Sequence, residues 1–389
     1  MGMDIKHALK NHAYQNVPLN YEEAFALGVY ALRGCKGDQL AQIQSIAALC
    51  ALHTQATYAW KWTKRAEELH GHDLPHSSGE QIAGICAAVF MHDMATSEFG
   101  FLSPDVPCVM DNCGMGGDLV LTANVSTIAA LIAAAAGIPM CKHGSPANAD
   151  KGRHGSSDFV EMLGIDTYPD KASLERAVAT EGFGYCEALD TRYKHIHLQT
   201  HAVAQLPHMN DIIGPVTYPV DPTKATRKVI GINHMMSPRV VAEAYRILNE
   251  RGVTHLEHGL FVRGFADEDQ YQGMDEVSIC AGGTRVAELR HGEILEYSLS
   301  ARDFGLPIAD PHLISPNGIS KGEFSMGILR GEVNGPALDM VLANAAILFK
   351  LAGHSDDLKE CVRMAAGIHS AGLDYRKALT IGELLPKSR

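Results

Sequence analysis

Three short stretches of the chain combine residue types that could act on an anionic substrate. The densest is Asp111-Asn112-Cys113-Gly114-Met115-Gly116-Gly117-Asp118, followed by Thr122, Asn124, Ser126 and Thr127. Glycines let backbone N–H groups approach a phosphate without side-chain obstruction, hydroxyls add donors, and the positive end of a following helix favours negative charge. The stretch lacks the G-x-x-x-x-G-K-S/T spacing of a nucleotide P-loop and does not complete the dinucleotide fingerprint. Alone it reads either as an anion cradle or as a tight strand-to-helix turn. The second stretch, Lys142-His143-Gly144, arrives after one helix and could end a strand beside the glycines, supplying a point charge; a solvated lysine is the alternative. The third is Asp275-Glu276, after Gly273. Adjacent carboxylates at a loop-to-strand entry could hold Mg²⁺ through oxygen while substrate phosphates complete the shell. Asp267-Glu268-Asp269, close by, reads as a solvated loop, which is the alternative for any acidic pair.

The histidines carry less. His197 and His201 stand four apart and could share a helix face, with His195 and His208 nearby, but no H-E-x-x-H motif or cysteine partner accompanies them, so a polar face is expected rather than zinc. His255 and His258 are weaker candidates still. Nine cysteines form an odd set without a C-x-x-C pair, which argues against a zinc ribbon or a secreted disulfide framework and fits a reducing cytoplasm.

The elements that must position these residues follow from pattern. The first hundred residues read as helices: Asn20 with Glu23 resembles a capping box, Asp38 can cap Gln39 to Leu52, and Ser78 can cap Gly79 to Met91. From about Pro104 short apolar runs alternate with glycine. Val106 to Met110, a run ending at Lys142, Val229 to Ile232, Thr254 to Val262 and Val277 to Ala281 are expected as strands, and Ser126 to Ala136 and Pro238 to Glu250 as helices. Arg285 to Leu299 is expected as a hairpin over Arg290-His291-Gly292, with helices over Gly335 to Leu351 and Leu358 to Ala371. The fold class is therefore α/β. With 389 residues, two or three domains are expected. The net charge of −12 provides no global field for nucleic acid or anionic membrane, so a polyanionic ligand needs a local basic pocket. The longest apolar run, Ile128 to Cys141, is too short to span a bilayer and contains Pro139, and the first residues lack the apolar stretch of an export signal.

Taken together, Gly114-Met115-Gly116-Gly117-Asp118, Asn124-Val125-Ser126-Thr127, Lys142-His143-Gly144, Gly155-Ser156-Ser157-Asp158, Ile213-Gly214-Pro215 and Asp275-Glu276 resemble, in order and spacing, the anthranilate phosphoribosyltransferase family. The resemblance runs from about residue 18 to the end, and includes Glu161-Met162-Leu163-Gly164 and Asn344-Ala345-Ala346. It implies a small helical N-terminal domain, residues 1–103 with 189–216 packed onto it, and a larger α/β domain, residues 104–389, with a central sheet flanked by helices. It also implies a homodimer that holds 5-phosphoribosyl 1-pyrophosphate in the cleft and attaches its ribosyl phosphate to a small aromatic or heterocyclic amine. Carried over by position, Gly114, Gly116, Gly117, Asp118, Thr122, Asn124, Ser126, Thr127, Lys142, His143, Gly144 and Ser145 would bind the donor, and Ser126, Asp275 and Glu276 would hold Mg²⁺. Catalytic roles fall to Asp118, Lys142 and Arg192. A nucleoside phosphorylase of the related fold and a non-catalytic relative binding a phosphorylated ligand or nucleic acid are the alternatives.

The sequence departs from that family's pattern at several points. Met115 stands where the family has threonine. Ser145 replaces an asparagine, and the loop Pro146 to His154 is longer by about two residues, with Lys151 and Arg153 available for phosphate contacts. At the acceptor side the family's His-Pro-Ala-Met is Asp190-Thr191-Arg192-Tyr193, and Thr200 stands at an expected arginine. A different amine acceptor follows from that loss, with Arg192 as the nearby cation. The N-terminal segment is longer by roughly thirty residues around Tyr58 to Ser78.

Overall fold

The computed structural model describes residues 10, 19–61, 79–146, 155–198, 210–232 and 236–387. The described N-terminal residues include the helices α1 (Tyr21–Cys35), α2 (Gln39–Lys61) and α3 (Gly79–His92). The Asn20 side chain accepts the Glu23 N–H at 3.0 Å and the Glu23 carboxylate accepts the Asn20 N–H at 3.0 Å, so the expected capping box starts α1. Asp38 caps α2 by accepting the Ala41 N–H at 3.0 Å. The helix continues past the expected Leu52 to Lys61, since no glycine or proline interrupts it.

Among the described residues eight strands form one sheet: β1 (Met110–Gly114), β2 (Met140–Gly144), β3 (Phe183–Glu187), β4 (Arg227–Gly231), β5 (His258–Phe265), β6 (Gly273–Met274), β7 (Thr284–Arg290) and β8 (Glu293–Leu299). Their order is β3-β2-β1-β4-β5-β7-β8, with β6 paired to β5. The first five are mutually parallel; β6, β7 and β8 pair antiparallel. The hairpin over Arg290-His291-Gly292 forms as expected, with His291 and Gly292 at positive φ of 50° and 86°, as a two-residue turn requires.

Three strand expectations are corrected. The strand read from Thr254 begins only at His258, because the Leu256 N–H goes to the Asn249 side chain at 3.0 Å. The strand read at Val106 to Met110 keeps only its last residue, because Pro104 and Pro107 lack donors and the ladder begins at Met110. Val277 to Ala281 is not a strand. The Val277 N–H goes to the Asn344 side chain at 2.9 Å and the Ser278 N–H to the Thr284 hydroxyl at 2.8 Å, so side chains take the donors that a neighbouring strand would have used.

Further helices among the described residues include α4 (Val125–Ala135), α5 (Ser156–Met162), α6 (Lys171–Glu181), α7 (Asn210–Val216), α8 (Pro238–Glu250), α9 (Lys321–Leu329), α10 (Pro336–Leu351), α11 (Leu358–Ser370) and α12 (Leu373–Leu384). Alanines let α4 pack closely against α10 and α12. Helix α8 buries Val241, Ala242, Ala244, Tyr245 and Leu248 against β5, β7 and α3, and turns Arg239 and Arg246 to solvent, where each pairs with a glutamate one turn on. Through α3 and α8 the N-terminal helices share one continuous apolar core with the sheet.

Candidate active site at the carboxyl ends of the strands

β1, β2 and β4 each end in glycine, at Gly114, Gly144 and Gly231. The chain runs outward from β1 through β2 to β3 and then returns to β4 on the other side of β1, so the strand order reverses between β1 and β4. In open α/β sheets the crevice beyond the strands at such a reversal takes ligands. Gly114 and Gly231 are register partners there, and Asp275, which follows β6, fills the space between them. A Cβ on Gly114 would overlap the Asp275 carboxylate, and one on Gly231 its backbone carbonyl.

The glycine loop closes on the acidic pair. The Gly116 N–H donates to Asp275 Oδ2 at 2.6 Å, the Asp275 N–H donates to Asp118 Oδ1 at 2.7 Å, and the Thr122 hydroxyl donates to Glu276 Oε2 at 2.9 Å. Gly116 and Gly117, at φ of 71° and 79°, supply the left-handed backbone that this turn needs. Three carboxyl groups thus meet. Burial, then the charges of Asp275 and Glu276, push the Asp118 carboxyl well above the usual range; burial and Asp275 push Glu276 up to about 8. The Lys321 ammonium of α9 opposes both shifts.

Lys142 is fully buried, and burial lowers its pKa. Its Nζ donates to the Asn112 carbonyl at 3.0 Å and to the Ser126 hydroxyl at 3.1 Å, which places the charge beside the first turn of α4. Its charge also opposes the rise of the Glu276 pKa. Asn124 opens α4, with its N–H and side-chain amide both donating to the Ser325 hydroxyl, at 2.8 and 3.1 Å. Asn112 Oδ1 and Thr127 Oγ1 are buried without a hydrogen-bond partner, leaving polar atoms unsatisfied around the same turn.

Other expected site residues stand elsewhere. His143 alternates to the opposite face of β2 from Lys142, and its ring lies between Asp111, at 3.0 Å, and the Gly214 carbonyl, at 3.1 Å. Asp111 also pairs with the buried Lys228. Asp111, Cys113 and His143 lie close enough to suggest a metal centre. However, both ring nitrogens are already engaged and burial pushes the Cys113 thiol up to about 12, so the group is a closed polar network. The backbone of Ser145 meets α5, its carbonyl accepting the Ser157 N–H at 3.3 Å, and Gly144 packs against the Ser156 hydroxyl. Arg192 is not brought to the acidic cluster. Its guanidinium is bound by Asp190, with Nε and Nη2 donating to Oδ2 at 2.8 and 2.7 Å, and lies over the Phe99 and Tyr168 rings. His195 pairs with Asp93 at 2.7 Å, while Lys151, Arg153, Thr200, His201 and His208 lie outside the described residues.

Sequence reasoning missed Lys321 and Ser325, because nothing in the spacing signals that α9 reaches a loop some two hundred residues earlier. It also missed Glu187 at the end of β3. That buried carboxylate accepts the Ser157 hydroxyl and the Leu189 N–H, the latter at 3.1 Å, and Tyr185 bridges Ser156 and Ser157 at 2.9 and 2.8 Å.

Residues 107–374 match the glycosyl transferase family a/b domain. The anthranilate phosphoribosyltransferase of Nitrosospira multiformis is 32% identical over 271 residues, covering 69% of this chain and 73% of its own; that of Haloarcula marismortui is 30% identical over 362 residues, covering 92% and 97%. In structure, the anthranilate phosphoribosyltransferase of Thermus thermophilus superposes with a TM-score of 0.72 at 26% identity, covering 98% of this chain and 99% of that one. The Saccharomyces cerevisiae enzyme in complex with PRPP and Mg shares the fold at a TM-score of 0.72 and 20% identity. The chain therefore belongs to the glycosyl transferase family that contains the anthranilate phosphoribosyltransferases, and it is a pentosyltransferase.

Proposed function

We propose that the protein transfers 5-phosphoribosyl from 5-phosphoribosyl 1-pyrophosphate to an aromatic or heterocyclic amine, with Mg²⁺, and releases pyrophosphate. The observation that carries this reading is the meeting of Asp118, Asp275 and Glu276 with the Gly116 N–H and the Thr122 hydroxyl at the strand reversal. Oxygen-only ligands suit Mg²⁺, and three carboxyl groups that cannot all ionise together call for a divalent cation. Asp275, Glu276 and Ser126 would hold it, and it would neutralise charge on the departing diphosphate. A diphosphate donor explains so many acidic groups better than free phosphate does.

The residues of the chain do the remaining work. The loop N–H groups and the first turn of α4 bind the phosphates, and Lys142, held by Asn112 and Ser126, supplies a fixed positive charge there. The amine nitrogen forms its bond to the anomeric carbon as the carbon–oxygen bond to pyrophosphate breaks, and the amine then loses a proton. Binding amine and donor on opposite sides of the anomeric carbon supplies much of the rate by orientation. On the acceptor side Arg192, held by Asp190 and still partly exposed, would supply the cation. Further parts of the same reading are the division into a helical unit, residues 1–103 with 189–216, and an α/β unit, residues 104–389; a homodimer; and a reducing cytoplasm, consistent with nine free cysteines.

Calorimetric titration with 5-phosphoribosyl 1-pyrophosphate tests the reading. Binding is expected to require Mg²⁺ and to weaken at least a hundredfold in Asp275→Asn/Glu276→Gln. An anthranilate turnover assay on the same sample then decides whether that amine is the acceptor. A wild-type protein that neither binds nor consumes the donor would overturn the proposal.

A further inference from the structure

At the opposite end of the strands from the acidic cluster, the starts of β4 and β5, the β7–β8 turn and the chain after α10 line an open cavity of about 320 Å³. That is room for a small metabolite. Its walls are unusually basic for a chain of net charge −12: Arg227, His258, Arg290, His291 and Lys350 all line it. Register explains part of the concentration. Arg227 pairs with His258 across β4 and β5, and His258 pairs with Arg290 across β5 and β7, so the three stand side by side on one face of the sheet. Like charges on neighbouring strands destabilise a sheet unless something neutralises them.

The protein neutralises them only in part. His258 Nε2 meets Glu288 Oε1 at 2.6 Å, and the Tyr297 hydroxyl donates to the same carboxylate at 2.7 Å. Burial alone would raise Glu288, but those hydrogen bonds and the Lys350 charge outweigh it and hold the carboxyl at about 2, so its charge is committed to its neighbours. Arg227 reaches the Ala352 carbonyl at 3.5 Å, an uncharged partner. Among the described residues no carboxylate forms an ion pair with Arg227, Arg290 or Lys350. Glu257 and Asp356 also line the cavity, so the wall can accept hydrogen bonds as well as donate them.

We propose that this cavity is a second ligand site, separate from the donor site, for a small dianion of the phosphate monoester or dicarboxylate class. Guanidinium groups match both anions through paired N–H donors, and two of them flank one imidazole here. Arg227 and Gly231 occupy opposite ends of β4, so the two sites lie on the order of 13 Å apart along that strand.

Calorimetry in Mg²⁺-free buffer, with glycerol 3-phosphate and with malonate as separate probes, tests the site on wild type, Arg290→Gln, Lys350→Gln and the donor-site variant Lys142→Met. At least one probe is expected to bind saturably, to weaken tenfold or more in both Arg290→Gln and Lys350→Gln, and to bind Lys142→Met as it binds wild type. The tighter probe identifies the ligand class. Arg290 is exposed in the hairpin, so its substitution leaves the fold intact. Unchanged affinity in both cavity variants, loss of binding in Lys142→Met, or no saturable binding of either probe would overturn the proposal.

Discussion

Burial lifts the Glu187 carboxyl from 4.5 to about 7, against the hydrogen bonds from Ser157 and the Leu189 N–H that favour its ionised form. The folded protein therefore keeps a proton there that the unfolded chain releases. This contribution to stability is full below the unfolded value and is lost as pH rises through about 7. Glutamine preserves the shape without the ionisation. Glu187→Gln is expected to be more stable than wild type at pH 8, by up to about 3 kcal/mol, and within about 1 kcal/mol of it at pH 5. Denaturant titrations at the two pH values measure this, and identical midpoints at pH 8 would show that Glu187 ionises normally. The sequence showed the glycines, Asp118 and Asp275-Glu276 because their types and local spacing carry the chemistry. Glu187 stayed hidden, since its pKa depends on what covers the end of β3 rather than on its neighbours in the chain.

Among the elements, α9 shows how a helix distant in sequence can shape the candidate donor site. Ser325 is fully buried; its hydroxyl accepts from the Asn124 N–H and side-chain amide, and donates to the Lys321 carbonyl at 2.7 Å. Ser325→Ala would leave two buried donors unpaired at the turn that positions Ser126 and Thr127. A loss of about 1–3 kcal/mol in stability is expected, together with a higher KM for the donor and a smaller change in kcat. An unchanged KM in steady-state assays would mean that the α4 turn holds its geometry without α9. The same contrast runs through the secondary structure. Asn20 with Glu23, and the hairpin at Arg290-His291-Gly292, were legible because the interactions that fix them lie within a few residues. Val277 to Ala281 misled because the Val277 N–H is taken by Asn344, a residue of α10 that pattern within the segment does not signal.

For the whole molecule, the outward face of α2 tests the proposed dimer. Leu40 and Ile43 are 59% and 67% exposed, and with the exposed Ala47 and Ala51 they form an apolar stripe at helical spacing. Helices of a monomer normally turn charged residues outward, as α8 does with Arg239 and Arg246. Two copies that each carry −12 also repel one another at long range, so their association depends on apolar contact to overcome that repulsion. If α2 supplies the contact, Leu40→Glu/Ile43→Glu buries nothing new in the monomer and places charges directly in the interface. Light scattering is then expected to give twice the chain mass for wild type and a single chain mass for the double variant. Mg²⁺-dependent donor binding should persist, because none of the donor-site contacts involves α2. A wild-type monomer, or a double variant that remains dimeric, would show that the stripe serves no contact between copies.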